Sequence, residues 1–84
     1  MRQVILYSRE GCCLCDDARD LLLRVRGGRP PAFDLRERDI ESDEALHRAY
    51  LERIPVVTID GEEAFELFVD EAELRRRLGI VEPA

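Results

Sequence analysis

The stretch VILYSREGCCLCDDA, residues 4–18, joins a strand signal to a cysteine cluster and a helix start. Val4 to Tyr7 form an unbroken β-prone run, the pattern of a strand covered on both faces, so it is expected at the centre of a sheet. Ser8 to Gly11 are loop formers. From Leu14 onward the apolar positions Leu14, Ala18, Leu21, Leu22 and Val25 recur at helical spacing, and Gly27-Gly28 supply a stop. This predicts an amphipathic helix of about three turns. The cysteines 12, 13 and 15 therefore fall where a central strand hands over to a helix.

Reading onward, Pro30-Pro31 break the chain before AFDLRERDI, where Phe33 and Leu35 alternate with Asp34 and Arg36 as in a partly exposed strand. Ser42 or Asp43 can cap a second helix with Ala45, Leu46, Ala49 and Tyr50 on one face, ending before Pro55. VVTI is a third strand, joined by the turn Asp60-Gly61 to EEAFELF, in which Phe65 and Leu67 share one face and Ala64 and Phe68 the other. Phe65, Leu67 and Phe68 are read as core. Asp70 can cap a last helix carrying Leu74 and Leu78 and closed by Gly79. The order β-α-β-α-β-β-α predicts an α/β fold with a four-stranded mixed sheet and helices on both faces. The first crossover makes strands one and two parallel, and the hairpin makes three and four antiparallel. At 84 residues the chain is expected to form one domain, residues 1–84.

Charge and composition narrow the function. Thirteen basic residues, all arginine, face 19 acids for a net charge of −6, which argues against a nucleic-acid partner, because phosphate recognition depends on clustered cations. Arg75 to Arg77 are the one basic run, and it suits a helix C-terminus. No apolar run reaches the ~18 residues of a membrane span, and the N-terminus lacks a signal-peptide core, so the expectation is a cytoplasmic protein with no membrane partner. His47 is read as a solvated helix position. Three clustered cysteines do not match the even, distributed count of a disulfide-stapled fold; they point to chemistry.

Cys12 sits at the expected helix N-terminus, where unpaired N–H groups and the positive dipole end stabilise a thiolate, and Arg9 places a cation within reach. Cys12 and Cys15, three apart, share a helix face and can approach the Cα separation of about 5.5 Å typical of a disulfide. A Cys12–Cys13 bond would strain the intervening peptide, and Cys13 and Cys15 point to different faces. Asp16 and Asp17 disfavour a second thiolate beside them. Cys12 is thus the expected attacker and Cys15 the resolving thiol, with Cys13 a neutral substitution. The third strand, antiparallel to the first, brings Pro55 towards Cys12. The bond before it suits a cis geometry that frees the Ile54 backbone to pair with an extended peptide. Two other readings use the same residues: a soft-metal or iron–sulfur module built on Cys12, Cys13 and Cys15, and a non-catalytic partner-binding domain.

With Tyr7, Ser8, Arg9, Cys12, Cys15, Ile54-Pro55 and Asp60-Gly61 in this order, the chain resembles the glutaredoxins of the thioredoxin superfamily over nearly its whole length. It most resembles the small bacterial glutaredoxin-like proteins reading Tyr-Ser-x-x-Gly-Cys-x-Leu-Cys. The resemblance implies a thioredoxin-like fold and thiol–disulfide exchange through Cys12 and Cys15, supported by Arg9, Ile54 and Pro55. It implies no resident cofactor or metal. Glutathione would be a cosubstrate held by Arg9, Ile54 and Asp70, and the partners would be a disulfide-bearing protein or small molecule, with glutathione or a thioredoxin-type reductase as electron donor to a monomer. Two departures stand out. Cys13-Leu14 replaces the usual Pro-Tyr, and Leu67-Phe68 fall where glutaredoxins carry the Gly-Gly that receives a glutathione carboxylate. Glutathione is accordingly expected to be the poorer donor.

Overall fold

A computed structural model describes residues 2–28 and 30–80. Four strands, β1 (Gln3–Ser8), β2 (Asp34–Asp39), β3 (Val56–Ile59) and β4 (Glu62–Glu66), form one sheet in the order β2-β1-β3-β4. Three helices, α1 (Cys13–Arg26), α2 (Glu44–Tyr50) and α3 (Glu71–Leu78), complete the expected element order, with a short 3-10 turn at Ile40–Ser42 between β2 and α2. β1 runs parallel to β2 and antiparallel to β3, and β3 and β4 form the antiparallel hairpin. The central position of β1 follows from its composition: a strand flanked on both edges and both faces needs apolar residues at successive positions.

One face of the sheet carries the core. Val4 and Leu6 of β1 and Val57 and Ile59 of β3 are buried there with Phe33, against Ala18, Leu22 and Val25 of α1 and Leu74 of α3. α1 runs for 14 residues, nearly four turns rather than three. Its first buried position is Cys15, whereas Leu14 is 52% exposed. The apolar spacing read from Leu14 was therefore one residue out of phase at the helix start, because the small thiol and not the larger leucine faces the sheet.

The opposite face is covered by α2, which buries none of its residues fully. Asp43 caps it by accepting from the N–H groups of Ala45 and Leu46 at 2.8 and 3.4 Å. Tyr50 meets Tyr7 of β1 at 5.0 Å between ring centroids, and the Arg53 guanidinium lies over the Tyr50 ring at 5.4 Å. Arg53 also pairs with Glu63 and Glu66, tying the end of α2 to β4.

The fourth strand departs from expectation. A register shift opposite Val57 and Thr58 inserts one extra residue into β4, so Ala64 and Phe65, adjacent in sequence, both pack against the same core. The strand ends at Glu66. Leu67 takes a left-handed backbone with φ 71°. Leu67 and Phe68 are not core: they are 46% and 69% exposed. Period-two reading fails here because the inserted residue resets which side each following residue faces.

Candidate active site

β1 ends at Ser8, and the chain turns through Arg9, Glu10 and Gly11 to reach α1. Gly11 has φ 82°, a left-handed value that glycine adopts without cost. The Cys12 N–H donates to the Arg9 carbonyl at 3.3 Å and closes the turn. Cys12 itself is the N-cap residue of α1: its backbone is extended, and its Sγ accepts the Cys15 N–H at 3.2 Å. A sulfur thus takes the capping place more often held by a serine or aspartate oxygen, meeting one of the donors that a helix start leaves unpaired.

The three thiols are free and differ in exposure: Cys12 is half-buried, Cys13 exposed and Cys15 fully buried. Burial pushes the Cys15 thiol up to about 12, helped by its hydrogen bond with Cys12 and by the negative charges of Cys12 and Asp16. Cys15 is therefore a protonated thiol beneath the half-exposed Cys12. Among the described residues no group of three or more His, Cys, Asp or Glu side chains is placed to hold a metal ion.

Pro55 directly precedes Val56, whose partner Tyr7 stands near the end of β1, so the proline lies at the end of the sheet from which the cysteine loop departs. It is buried, and the Ile54–Pro55 bond is cis. The expectation that the whole Ile54 backbone is free needs correcting: its N–H donates to the Tyr50 carbonyl at 3.1 Å, since the turn after α2 runs directly into Pro55.

The residues read as glutathione contacts are also engaged internally. Arg9 pairs with Glu41 at 3.0 Å, and the Asp70 carboxylate caps α3 by accepting from Ala72 and Glu73 at 3.0 and 3.3 Å. The Leu67 N–H donates to the carbonyls of Arg53 and Pro55 at 3.1 and 2.9 Å, and the Phe68 N–H to Glu66 at 2.8 Å. The two amides at the Gly-Gly position are thus already bonded to backbone carbonyls.

Sequence reading missed a polar cluster beside the loop. The buried Ser8 hydroxyl donates to Glu37 of β2 at 2.6 Å, and Arg19 of α1 donates to the same carboxylate at 2.7 Å and to Asp16 at 2.9 Å. These contacts hold the Glu37 carboxyl below the usual carboxylate range, Arg19 acting first. The alternation of β2 places Glu37 on the same side as Leu35, but its partners lie 18 and 29 residues away.

A strand feeding a cysteine-capped helix, with a cis proline at the neighbouring strand, is the arrangement of the thioredoxin superfamily. The chain belongs to the glutaredoxin-like domain family DUF836, whose model matches residues 3–79. It is similar to the solved structure of protein XcR50 from X. campestris, with 32% identity over 94% of this chain and 99% of that one and a TM-score of 0.72. Protein Ne2328 from Nitrosomonas europaea is similar at 28% identity over 90% of this chain and 89% of its own, with a TM-score of 0.75. A thioredoxin mutant from Halobacterium salinarum shares the fold at 18% identity, covering 99% of this chain and 77% of that one with a TM-score of 0.66. A comparison with curated protein sequences gave no match. No helix among the described residues is long and apolar enough to cross a membrane.

Proposed function

We propose that the protein is a thiol–disulfide oxidoreductase working through Cys12 and Cys15. The observation that carries this is the half-exposed Cys12 sulfur at the N-cap of α1, receiving the N–H of a fully buried Cys15 one helical turn on.

As the thiolate, Cys12 attacks one sulfur of a substrate disulfide, forming a mixed disulfide and expelling the other sulfur as a thiolate that takes up a proton. Bond formation removes the charge on Cys12, one of the lesser causes that raise Cys15 beside its burial. Cys15 then gives up its proton and attacks Cys12 Sγ. The Cys12–Cys15 bond forms and the second substrate thiol leaves. Two electrons pass from the protein dithiol to the substrate disulfide, and an external thiol or dithiol reductant restores the two cysteines.

The Ile54 carbonyl accepts no other bond from the turn and loop backbone among the described residues, which leaves it to pair with an extended substrate segment. The engagement of the Leu67 and Phe68 amides by backbone carbonyls supports a thioredoxin-type reductase as the better donor and glutathione as the poorer one.

The test assigns the sulfurs. Cys12→Ser is expected to abolish exchange, because a neutral hydroxyl is a very weak nucleophile at pH 7. Cys15→Ser should accumulate a mixed disulfide seen by mass spectrometry on the peptide containing Cys12, while Cys13→Ser keeps most activity. Trapping on Cys13 instead would move the nucleophile one residue along.

A further inference from the structure

Beside the cysteines lies an apolar cleft that the exchange chemistry does not use. Leu14, from the first turn of α1, and Leu67 and Phe68, from the segment before α3, line it with Ala18, Leu21 and Val69, around a volume of about 170 Å³. Three of these side chains, Leu14, Leu67 and Phe68, are among the exposed large hydrophobics. Scattered exposed leucines need no explanation, but apolar side chains gathered in one cleft mark a recognition site. The volume is below the roughly 300 Å³ at which small-molecule pockets begin, and suits one side chain.

The backbone adds a separate observation. Leu67 holds φ 71°, a conformation that disfavours any side chain and that glycine would adopt freely. Burial does not account for the leucine, since nearly half of it is exposed. The side chain is kept at a strained position and turned outward, which is what recognition requires and folding does not.

Charge selects the occupant. The charged side chain lining the cleft is the carboxylate of Asp17, and the chain carries a net charge of −6. A carboxylate-bearing ligand meets repulsion here and finds the Leu67 and Phe68 amides already bonded.

We propose that this cleft receives a large apolar side chain neighbouring the reactive cysteine of a substrate peptide or protein that also carries a basic residue next to it, the basic group facing Asp17. This specificity rests on the exchange activity proposed above, and names the class of disulfide it acts on.

The experiment compares two synthetic peptides, each carrying its cysteine as a mixed disulfide with thionitrobenzoate, so that attack releases the chromophore. One flanks cysteine with Leu and Arg, the other with Gly and Glu. The wild-type protein is expected to show at least a ten-fold higher kcat/KM for the Leu/Arg peptide. Phe68→Ser and Leu67→Gly should each lower that ratio several-fold, the remainder being the contribution of Asp17, and Leu67→Gly should not lower Tm because it relieves the left-handed strain. Equal rates on the two peptides, or a ratio that survives both variants, overturns the proposal. A version of the Leu/Arg peptide with serine in place of cysteine separates docking from chemistry. Amide shifts at Leu14, Leu67 and Phe68 in NMR titration support the cleft even if no disulfide is reduced, whereas their absence counts against the cleft even in an active enzyme.

Discussion

α1 and α2 cover opposite faces of the same sheet, and both read in the sequence as amphipathic helices. α1 sends Cys15, Ala18, Leu22 and Val25 into the interior, while α2 buries none of its residues fully and leans on the Tyr7–Tyr50 stack and the Arg53 ion pairs. The cysteine cluster rides on the first. The site thus grows from the well-packed layer, where the helix start is held in place by core contacts along the rest of its length, and the thinner layer supplies the approach to Ile54-Pro55. Apolar spacing shows that a helix has an inward face, but not how deep that face goes.

The sharpest way to break this comparison is a matched truncation. Leu22→Ala removes a fully buried side chain from the α1 layer and is expected to cost about 3 kcal/mol, whereas Leu46→Ala on α2, only half-buried, should cost less than about 1 kcal/mol. Denaturant unfolding of the two variants measures the difference; equal losses would mean that α2 is as deeply anchored as α1.

A smaller effect tests the seam between α1 and the edge strand β2. Glu37→Gln removes the charge that Arg19 and Ser8 bind. Because the folded-state carboxyl lies below the ordinary glutamate value of about 4.3, its stabilisation is fully present above that value and is lost as pH falls through the lower, folded-state one. The carboxylate is about one-third exposed, so solvent screening limits the loss in the variant to about 1 kcal/mol at pH 7. Unfolding curves at successive pH values should show wild type and variant converging as pH falls below the ordinary glutamate value and through the lower, folded-state one. A gap that persists there would assign the effect to packing instead.

The smallest expected change lies in the α2 layer. The Thr58 hydroxyl is buried on that side with no hydrogen-bond partner among the described residues. Thr58→Val keeps the shape and removes an unmet polar group, so thermal melting should show stability unchanged or raised by up to about 1 kcal/mol. A clear loss would reveal that the hydroxyl is satisfied in solution.

Much of the architecture was legible because its signals are local. The Val4–Tyr7 run, the caps at Asp43 and Asp70, the Asp60-Gly61 turn and the Gly79 stop each act over a few residues, and each element formed where its signal lies. The candidate site was legible for the same reason, since Cys12 and Cys15 are placed by one loop and one helical turn. What was misread depends on distant partners. The inserted residue in β4 is defined only against β3, and it carries Leu67 and Phe68 from an expected core to the surface. The Ser8–Glu37–Arg19 contacts exist only once β2 has come to lie parallel to β1.

By itself, then, the sequence determined the order of elements, the family and the placing of a cysteine pair at a helix start, because periodicity, capping and turn chemistry are settled within a few residues of the chain. Tertiary structure alone decided that Cys15 is sealed beneath Cys12, that the amides of Leu67 and Phe68 are taken up by backbone carbonyls, and that their side chains open a cleft with Leu14. Burial and hydrogen-bond partners are properties of which segments meet, and that is set by the register of strands far apart in the chain.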